Sequence, residues 1–337
     1  MKKNIFNNAK KFLPFLGLIF LIAYIILYLD LTNPERLNEA KSYIQTILTS
    51  PIFPISIFLT IPNIIIRNYA WQLVLKEQNI KIGFWQSLKV FFIGSFYGSF
   101  TPGYYGQLMR IPYLKEKTGE PYGKLFVNTI IEIVMRGLSI YLMILFGALL
   151  FFGDDAKYRF MLYLILIWTV AFIMTTIFFA KKERGEKVFY NLVKFLIPKK
   201  LKIHLNIFIG TFYQEFPRIK KLIFPIILSA FTWIIVFTQE YLLTIPLGLE
   251  IGYFAFLLVY PIANVAGFIP ITVAGIGTRE ITAITILTIL YPSVKDIQIF
   301  VIAILGFLIT TVLIGFIGFL LSLTEVKNKS IKDLIKN

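Results

Sequence analysis

The chain contains no cysteine and a single histidine, His204, which excludes a disulfide framework, thiolate chemistry and Cys/His metal centres. Charge is scarce as well: only 15% of the 337 residues are Asp, Glu, Lys or Arg, and acids are the scarcer sign, 18 against 34 basic residues. No Walker loop, no Ser/His pair on a shared element and no carboxylate grouping with metal spacing occurs. The sequence therefore offers no catalytic residue, no metal ligands and no cofactor, and enzyme activity is the less favoured class. What fills the chain is apolar: 57% hydrophobic residues and a mean hydropathy of +0.76, outside the range of soluble domains. Runs of spanning length recur along nearly all of it, so residues 1–337 are expected to form one integral membrane domain.

The net charge of +16 is unevenly distributed. Lys2, Lys3, Lys10 and Lys11 stand without an acid, and 181–221 holds eleven Lys/Arg against Glu183, Glu186 and Glu215, a net of +8. The tail after Leu323 has four lysines against Glu325 and Asp333, whereas 30–50, 153–159 and the connection around Glu250 are neutral or acidic. By the positive-inside rule both termini, the basic amphipathic loop 180–221 and the tail 324–337 face the cytoplasm of a plasma-membrane protein. The basic flanks then meet anionic inner-leaflet lipids, and no nucleic-acid partner is needed to explain them. The run 12–29 ends in "YLDLTNPERL" with no small-residue cleavage site, as a retained anchor does.

Spanning helices are expected at about 12–29, 52–75, 124–152, 159–179, 222–246 and 296–323. Two further apolar regions, 84–114 and 252–292, have flanks that belong on one side of the membrane, so each is expected to enter and return as a re-entrant helical hairpin. Each has a glycine-rich turn in the middle: "TPGYYGQ", with Pro102, Gly103, Gly106 and Gln107, and "IPITVAGIG", with Pro270, Gly275 and Gly277. An arginine follows at similar spacing, Arg110 in the first and Arg279 in the second. Each hairpin lies between two spanning helices, and the two units run in opposite directions, an inverted repeat of the transporter kind. The fold class is all-α, with about six spanning helices and two such hairpins.

Buried charge is the functional signal, because an ionisable group facing lipid costs at least ~2.5 kcal/mol. The candidates are Arg67, Arg110, Glu132, Arg136, Glu240, Arg279 and Glu280. Glu132 and Arg136 have the i,i+4 spacing of an intrahelical ion pair, and Arg136 also suits a cavity wall. Arg67 can snorkel to the headgroups or face inward. Arg110 and Arg279 follow broken backbone, where freed amides and a guanidinium together suit a phosphate. Glu280 can neutralise Arg279 locally; Glu240 is open to proton coupling or to pairing with one of the arginines.

At these residues the sequence resembles a known family, the flippase-like membrane domain of lysylphosphatidylglycerol synthases and its stand-alone prokaryotic relatives. Arg67, "PGYYGQLMR" from Pro102 to Arg110, "EIVMR" from Glu132 to Arg136 and "PITVAGIGTRE" from Pro270 to Glu280 stand in the family's pattern, over roughly residues 10–325. Gln107 replaces an acid of that pattern and Ala274 replaces a glycine. The resemblance implies lipid translocation, the headgroup passing a cavity between the hairpins, with no aminoacyl-transferring domain in this chain. The leading expectation is a flippase-like transporter of an anionic or phosphate-containing lipid, phospho- or polyprenyl-phosphate. The lipid phosphate is expected on Arg110, Arg279, Arg136 and Arg67, and ion-pair or proton-coupling roles on Glu132, Glu240 and Glu280. Two other readings stand beside it: a membrane-embedded lipid or polyprenyl-phosphate headgroup transferase, and an accessory subunit of a glycosyltransferase. Partners in these readings are the lipid itself, a second copy of the chain, or that glycosyltransferase.

Overall fold

The computed structural model describes residues 23–27, 29–151, 159–180, 210, 214–269 and 272–326. Most of the expected anchor 12–29, of the basic loop 180–221 and of the tail 324–337 lies outside the described residues, as do His204 and Pro270. The described residues are helical, and no strand occurs among them. Four helices are long and apolar enough to cross a membrane: Ile52–Glu77, Tyr122–Leu150, Ile219–Leu247 and Asp296–Thr324. They coincide with four of the six expected spans. The expected 159–179 is also a helix, and its apolar run is described over Leu166–Thr175.

In chain order the elements are α1 (Pro34–Thr49), α2 (Ile52–Phe58), α3 (Thr60–Glu77), α4 (Phe84–Ser99), α5 (Arg110–Thr118), α6 (Tyr122–Phe151), α7 (Arg159–Ala180), α8 (Ile219–Leu242), α9 (Tyr253–Val259), α10 (Pro261–Ala266), α11 (Thr278–Leu290), α12 (Asp296–Phe307) and α13 (Leu313–Val326). Helices α2 and α3 make up the first span. A 3-10 turn, Tyr105–Met109, leads into α5, and a π-helical segment, Leu308–Val312, joins α12 to α13. The arms flanking the two glycine-rich turns are short: 16 residues in α4, 9 in α5, 7 and 6 in α9 and α10, and 13 in α11. A helix needs about 20 residues to cross the hydrocarbon core.

The chain divides into two compact units, the first drawn from Met1–Ile64, Phe91–Met109 and Trp233–Asn337, the second from Ile65–Val90 and Arg110–Thr232. Lipid tails are as apolar as leucine, so close packing and interhelical hydrogen bonds hold membrane helices together. In the second unit Val127, Ile131 and Met135 repeat every four residues on α6, a stripe that buries Val74 of α3 and Leu222 of α8. A polar ladder runs beside it. Trp71 Nε1 donates to Asn128 Oδ1 at 2.7 Å, Asn128 Nδ2 to Gln78 Oε1 at 2.7 Å, and Gln78 Nε2 to the Glu215 carbonyl at 2.8 Å.

In the first unit the helix following the π segment meets α4 through small residues. A Cβ at Gly318 would fall on the Phe92 carbonyl and one at Gly315 would lie 2.7 Å from Ser99 Oγ. Gln239 of α8 is laced to α2 and α3: Ser56 Oγ donates to its carbonyl at 2.9 Å, and its Nε2 donates to the Ser56 carbonyl and Thr60 Oγ1. Asn33 caps α1 by accepting the Glu35 N–H at 2.9 Å. Arg36 and Glu39 of α1 then grip Asp296 (3.0 Å) and Lys295 (2.6 Å) at the start of α12. The Lys295 ammonium and the Tyr43 hydroxyl, both donating to Glu39, hold its carboxyl below the ordinary range.

Candidate functional site

The two glycine-rich turns, 170 residues apart in sequence, touch each other within the first unit. Pro102 and Val273 form an isolated antiparallel bridge. The Ala274 N–H donates to the Thr101 carbonyl at 3.4 Å, and the Tyr104 hydroxyl donates to the Ala274 carbonyl at 2.9 Å. Backbone released from helices is thus met by the backbone of the opposite turn, the condition under which irregular chain survives among spanning helices. Local sequence enforces the turns. Gly275 has φ +72°, and a Cβ there would lie 2.5 Å from Gly267 Cα, so only glycine fits. Pro102 and Gly103 turn the chain, and Gly106 N–H donates to Thr101 Oγ1 at 2.7 Å with the Tyr97 carbonyl where a Cβ would stand. Gln107 packs its side chain against Gly98. Gly277 precedes α11. Ala274, where the family pattern has glycine, sits at φ +51°.

The buried charges gather into two clusters. In the second unit, Arg67 of α3, Arg110 at the first position of α5 and Glu132 of α6 converge. Arg110 Nη2 donates to Glu132 Oε2 at 2.7 Å, and Arg67 Nη2 lies 3.5 Å from Oε1. The side chains of Arg110 and Glu132 are 2% and 4% exposed, so this is an ion pair removed from solvent. Arg110 also reaches the Thr129 carbonyl at 3.4 Å and stacks on Trp71, its Cζ 4.7 Å from the ring centroid. Its Nε–H has no acceptor among the described residues. Arg67, which could have snorkelled, is turned to Glu132 and is largely buried. Arg136 is half-buried on the next turn of α6. The triad Arg67–Glu132–Arg110 carries a formal charge of +1.

In the first unit Arg279 and Glu280, adjacent at the start of α11, pair with each other. Glu280 uses its second oxygen to accept the Gly277 N–H, closing the first turn of the helix. Arg279 stacks on Phe307, Cζ 4.5 Å from the centroid. Glu240 of α8 is 1% exposed, and neither carboxylate oxygen has a hydrogen-bond partner among the described residues. Gly306 makes room for it: a Cβ there would stand 2.8 Å from Glu240 Cγ. The Tyr260 hydroxyl, Asn264 Nδ2, Thr272 Oγ1 and Arg279 Nε are also buried without hydrogen-bond partners among the described residues. With both acids ionised, Glu240, Arg279 and Glu280 carry a formal charge of −1.

Sequence reasoning singled out all six members of these clusters but not their surroundings. Trp71 was legible as the i+4 neighbour of Arg67 in "RNYAW", and Tyr260 and Asn264 as polar residues inside the apolar run "LLVYPIANVAGF". Gly306 and Phe307 carry no such signal.

Apolar helices of spanning length, meeting glycine-rich turns and buried ion clusters define a polytopic α-helical membrane protein. The chain belongs to the lysylphosphatidylglycerol synthase TM region family, whose model matches residues 15–318. None of the curated proteins matches it.

Proposed function

We propose that the protein translocates a lipid with an anionic or phosphate-containing headgroup, and that the Arg67–Glu132–Arg110 cluster holds that headgroup. One observation carries the assignment: the buried Arg110, paired with Glu132, has an Nε–H without an acceptor among the described residues, and Arg67 turns to the same carboxylate. An anion entering there supplies the missing negative charge, and a guanidinium binds phosphate oxygens through a fork of donors. Glu132 partly neutralises the arginines when no headgroup is present and competes for them when it must leave. Arg279 pairs with Glu280 and has a second acid, Glu240, in its cluster, which makes it a weaker anion site than Arg110. The short arms around both turns support the reading of 84–114 and 252–292 as re-entrant hairpins. The basic flanks support a plasma-membrane protein with cytoplasmic termini.

The test is transfer of fluorescent phosphatidylglycerol, and separately of a fluorescent polyprenyl phosphate, between leaflets of proteoliposomes. Arg110→Gln is expected to slow transfer of at least one probe roughly ten- to hundredfold, the 1.5–3 kcal/mol of a charged hydrogen bond, and Arg110→Lys to restore part of it. Unchanged transfer of both probes in Arg110→Gln and Arg67→Gln would overturn the assignment.

A further inference from the structure

Glu240 is the member of the two clusters that the headgroup reading leaves without a task. It sits inside a span, 1% exposed, with neither oxygen hydrogen-bonded among the described residues. An ionised carboxylate in that position forfeits hydration and receives nothing in return, and groups so placed are neutralised instead. Its surroundings are not those of an inert buried acid. Gly306 opposite it lets α12 approach so closely that a Cβ there would lie 3.0 Å from Glu240 Oε1. The next residue, Phe307, is the one on which Arg279 stacks, so the acid and the guanidinium border the same step of α12. Beyond that step the helix widens to π over Leu308–Val312, a feature frequent at functional sites. Arg279 Nε and the Tyr260 hydroxyl are buried donors with no acceptor among the described residues.

Among the described residues, the titratable groups within electrostatic reach of Glu240 are Arg279 and Glu280 from α11, Tyr260 from the α9–α10 joint and Tyr104 from the first turn. Helices α2 and α3 bring Ser56 and Thr60 to the neighbouring Gln239 of α8, and α12 brings Gly306 to Glu240; none of these titrates. One cation therefore stands among two carboxylates. It can satisfy one fully or be shared between them.

We propose that Glu240 is a proton-binding site that couples proton movement to the choice of partner made by Arg279. In the arrangement described above Glu240 holds the proton and Arg279 belongs to Glu280. When the O–H bond breaks and the proton leaves to solvent, the Glu240 carboxylate draws an N–H of Arg279, while Glu280 keeps the Gly277 N–H. Return of the proton releases the guanidinium to Glu280. One proton enters and one leaves per cycle, and no other covalent bond changes. Because Glu280 and Gly277 open α11 at the turn that pairs with Thr101–Tyr104, the exchange acts on the contact between the two turns. The proposal depends on the lipid-translocation reading only for what the proton drives.

Two measurements separate the site from the transport. Infrared spectra of the purified full chain in detergent are expected to show a protonated-carboxyl C=O band that Glu240→Gln removes; an unchanged band would overturn the proposal whether or not lipid moves. In proteoliposomes carrying fluorescent phosphatidylglycerol, the wild type is expected to change its transfer rate by up to about tenfold per unit of imposed pH difference, the limit for one proton. Glu240→Gln is expected to transfer at a rate indifferent to that difference. Tyr260→Phe, a smaller change, is expected to keep the response and displace its pH profile. A gradient response retained in Glu240→Gln, or one that follows sodium and not pH, would overturn it.

Discussion

The two buried clusters have the same ingredients in opposite proportion. Each places an arginine just after a glycine-rich turn, stacks it on an aromatic ring and pairs it with a glutamate: Arg110 with Trp71 and Glu132, Arg279 with Phe307 and Glu280. The third member differs. In the second unit it is another cation, Arg67, and both oxygens of Glu132 are engaged. In the first it is another acid, Glu240, and neither of its oxygens is. On the proposed reading the surplus charge decides what each cluster can accept, an anion in the second unit and a proton in the first. Matched turns and matched arginines therefore do not imply matched tasks.

The largest effect expected from breaking this difference comes from the acids. Glu132→Gln takes from Arg110 the carboxylate it holds at 2.7 Å, and removing one partner of a buried ion pair costs about 3–5 kcal/mol. Glu240→Gln removes a carboxylate that no partner engages, and is expected to cost less than about 1 kcal/mol or to stabilise. Thermal unfolding of the two variants in detergent measures the contrast. Equal losses would show that the unpartnered oxygens of Glu240 do not describe its energetics.

Within the cationic cluster the arginines are not equivalent. Arg110 lies 2.7 Å from its carboxylate oxygen and Arg67 lies 3.5 Å from its own, beyond good hydrogen-bond geometry. Arg110→Gln is expected to lower stability by about 2–3 kcal/mol and Arg67→Gln by about 1 kcal/mol, following the worth of charged hydrogen bonds. The same unfolding assay ranks them, and a reversed order would transfer the anchoring role to Arg67.

Most of these residues could be read from sequence because a charge inside an apolar run is costly and therefore conspicuous. Four of the six expected spans coincide with helices of spanning length because apolar length alone fixes them. Partners were less legible. The spacing of Glu132 and Arg136 pointed along one helix and gave no sign that Glu132 also meets arginines 65 and 22 residues away in sequence. Helical periodicity reports neighbours on one helix and says nothing of which helix packs alongside. Glycines 306, 315 and 318 stayed silent for the same reason: what they make room for is a residue of another element. The turns were legible as breaks, since glycine and proline mark them, but their direct bridge at Pro102 and Val273 was not.

That bridge offers a smaller contrast. Gly275→Ala forces a Cβ into Gly267 at a left-handed backbone position and is expected to cost about 1–3 kcal/mol. Its neighbour Ala274 already tolerates φ +51°, a conformation that penalises an L side chain by about 1–2 kcal/mol, part of which glycine returns as chain entropy. Ala274→Gly is therefore expected to gain about 0.5–1 kcal/mol in the same assay. A loss would mean that the Ala274 methyl, buried beside Val273 and Phe307, contributes more by packing than its backbone costs.

The smallest effect belongs to the ion pairs outside the spans, and it sharpens what burial does for the other two clusters. Glu39 accepts from Lys295 and Tyr43, so its carboxyl stays ionised to lower pH than an ordinary glutamate. A depressed carboxyl contributes to docking of α1 above its ordinary range and loses that contribution as pH falls through the lowered value. Hydrogen exchange across residues 34–49, corrected for its intrinsic pH dependence, is expected to quicken below about pH 4, where glutamate protonates. Lys295→Ala is expected to show the faster exchange already at neutral pH. High salt should do the same to this exposed pair, because solvent ions screen it, and should leave Arg110–Glu132 unaffected because that pair is out of their reach. Equal sensitivity of both pairs to salt would place the Arg110 cluster in open contact with water and count against the proposed headgroup site.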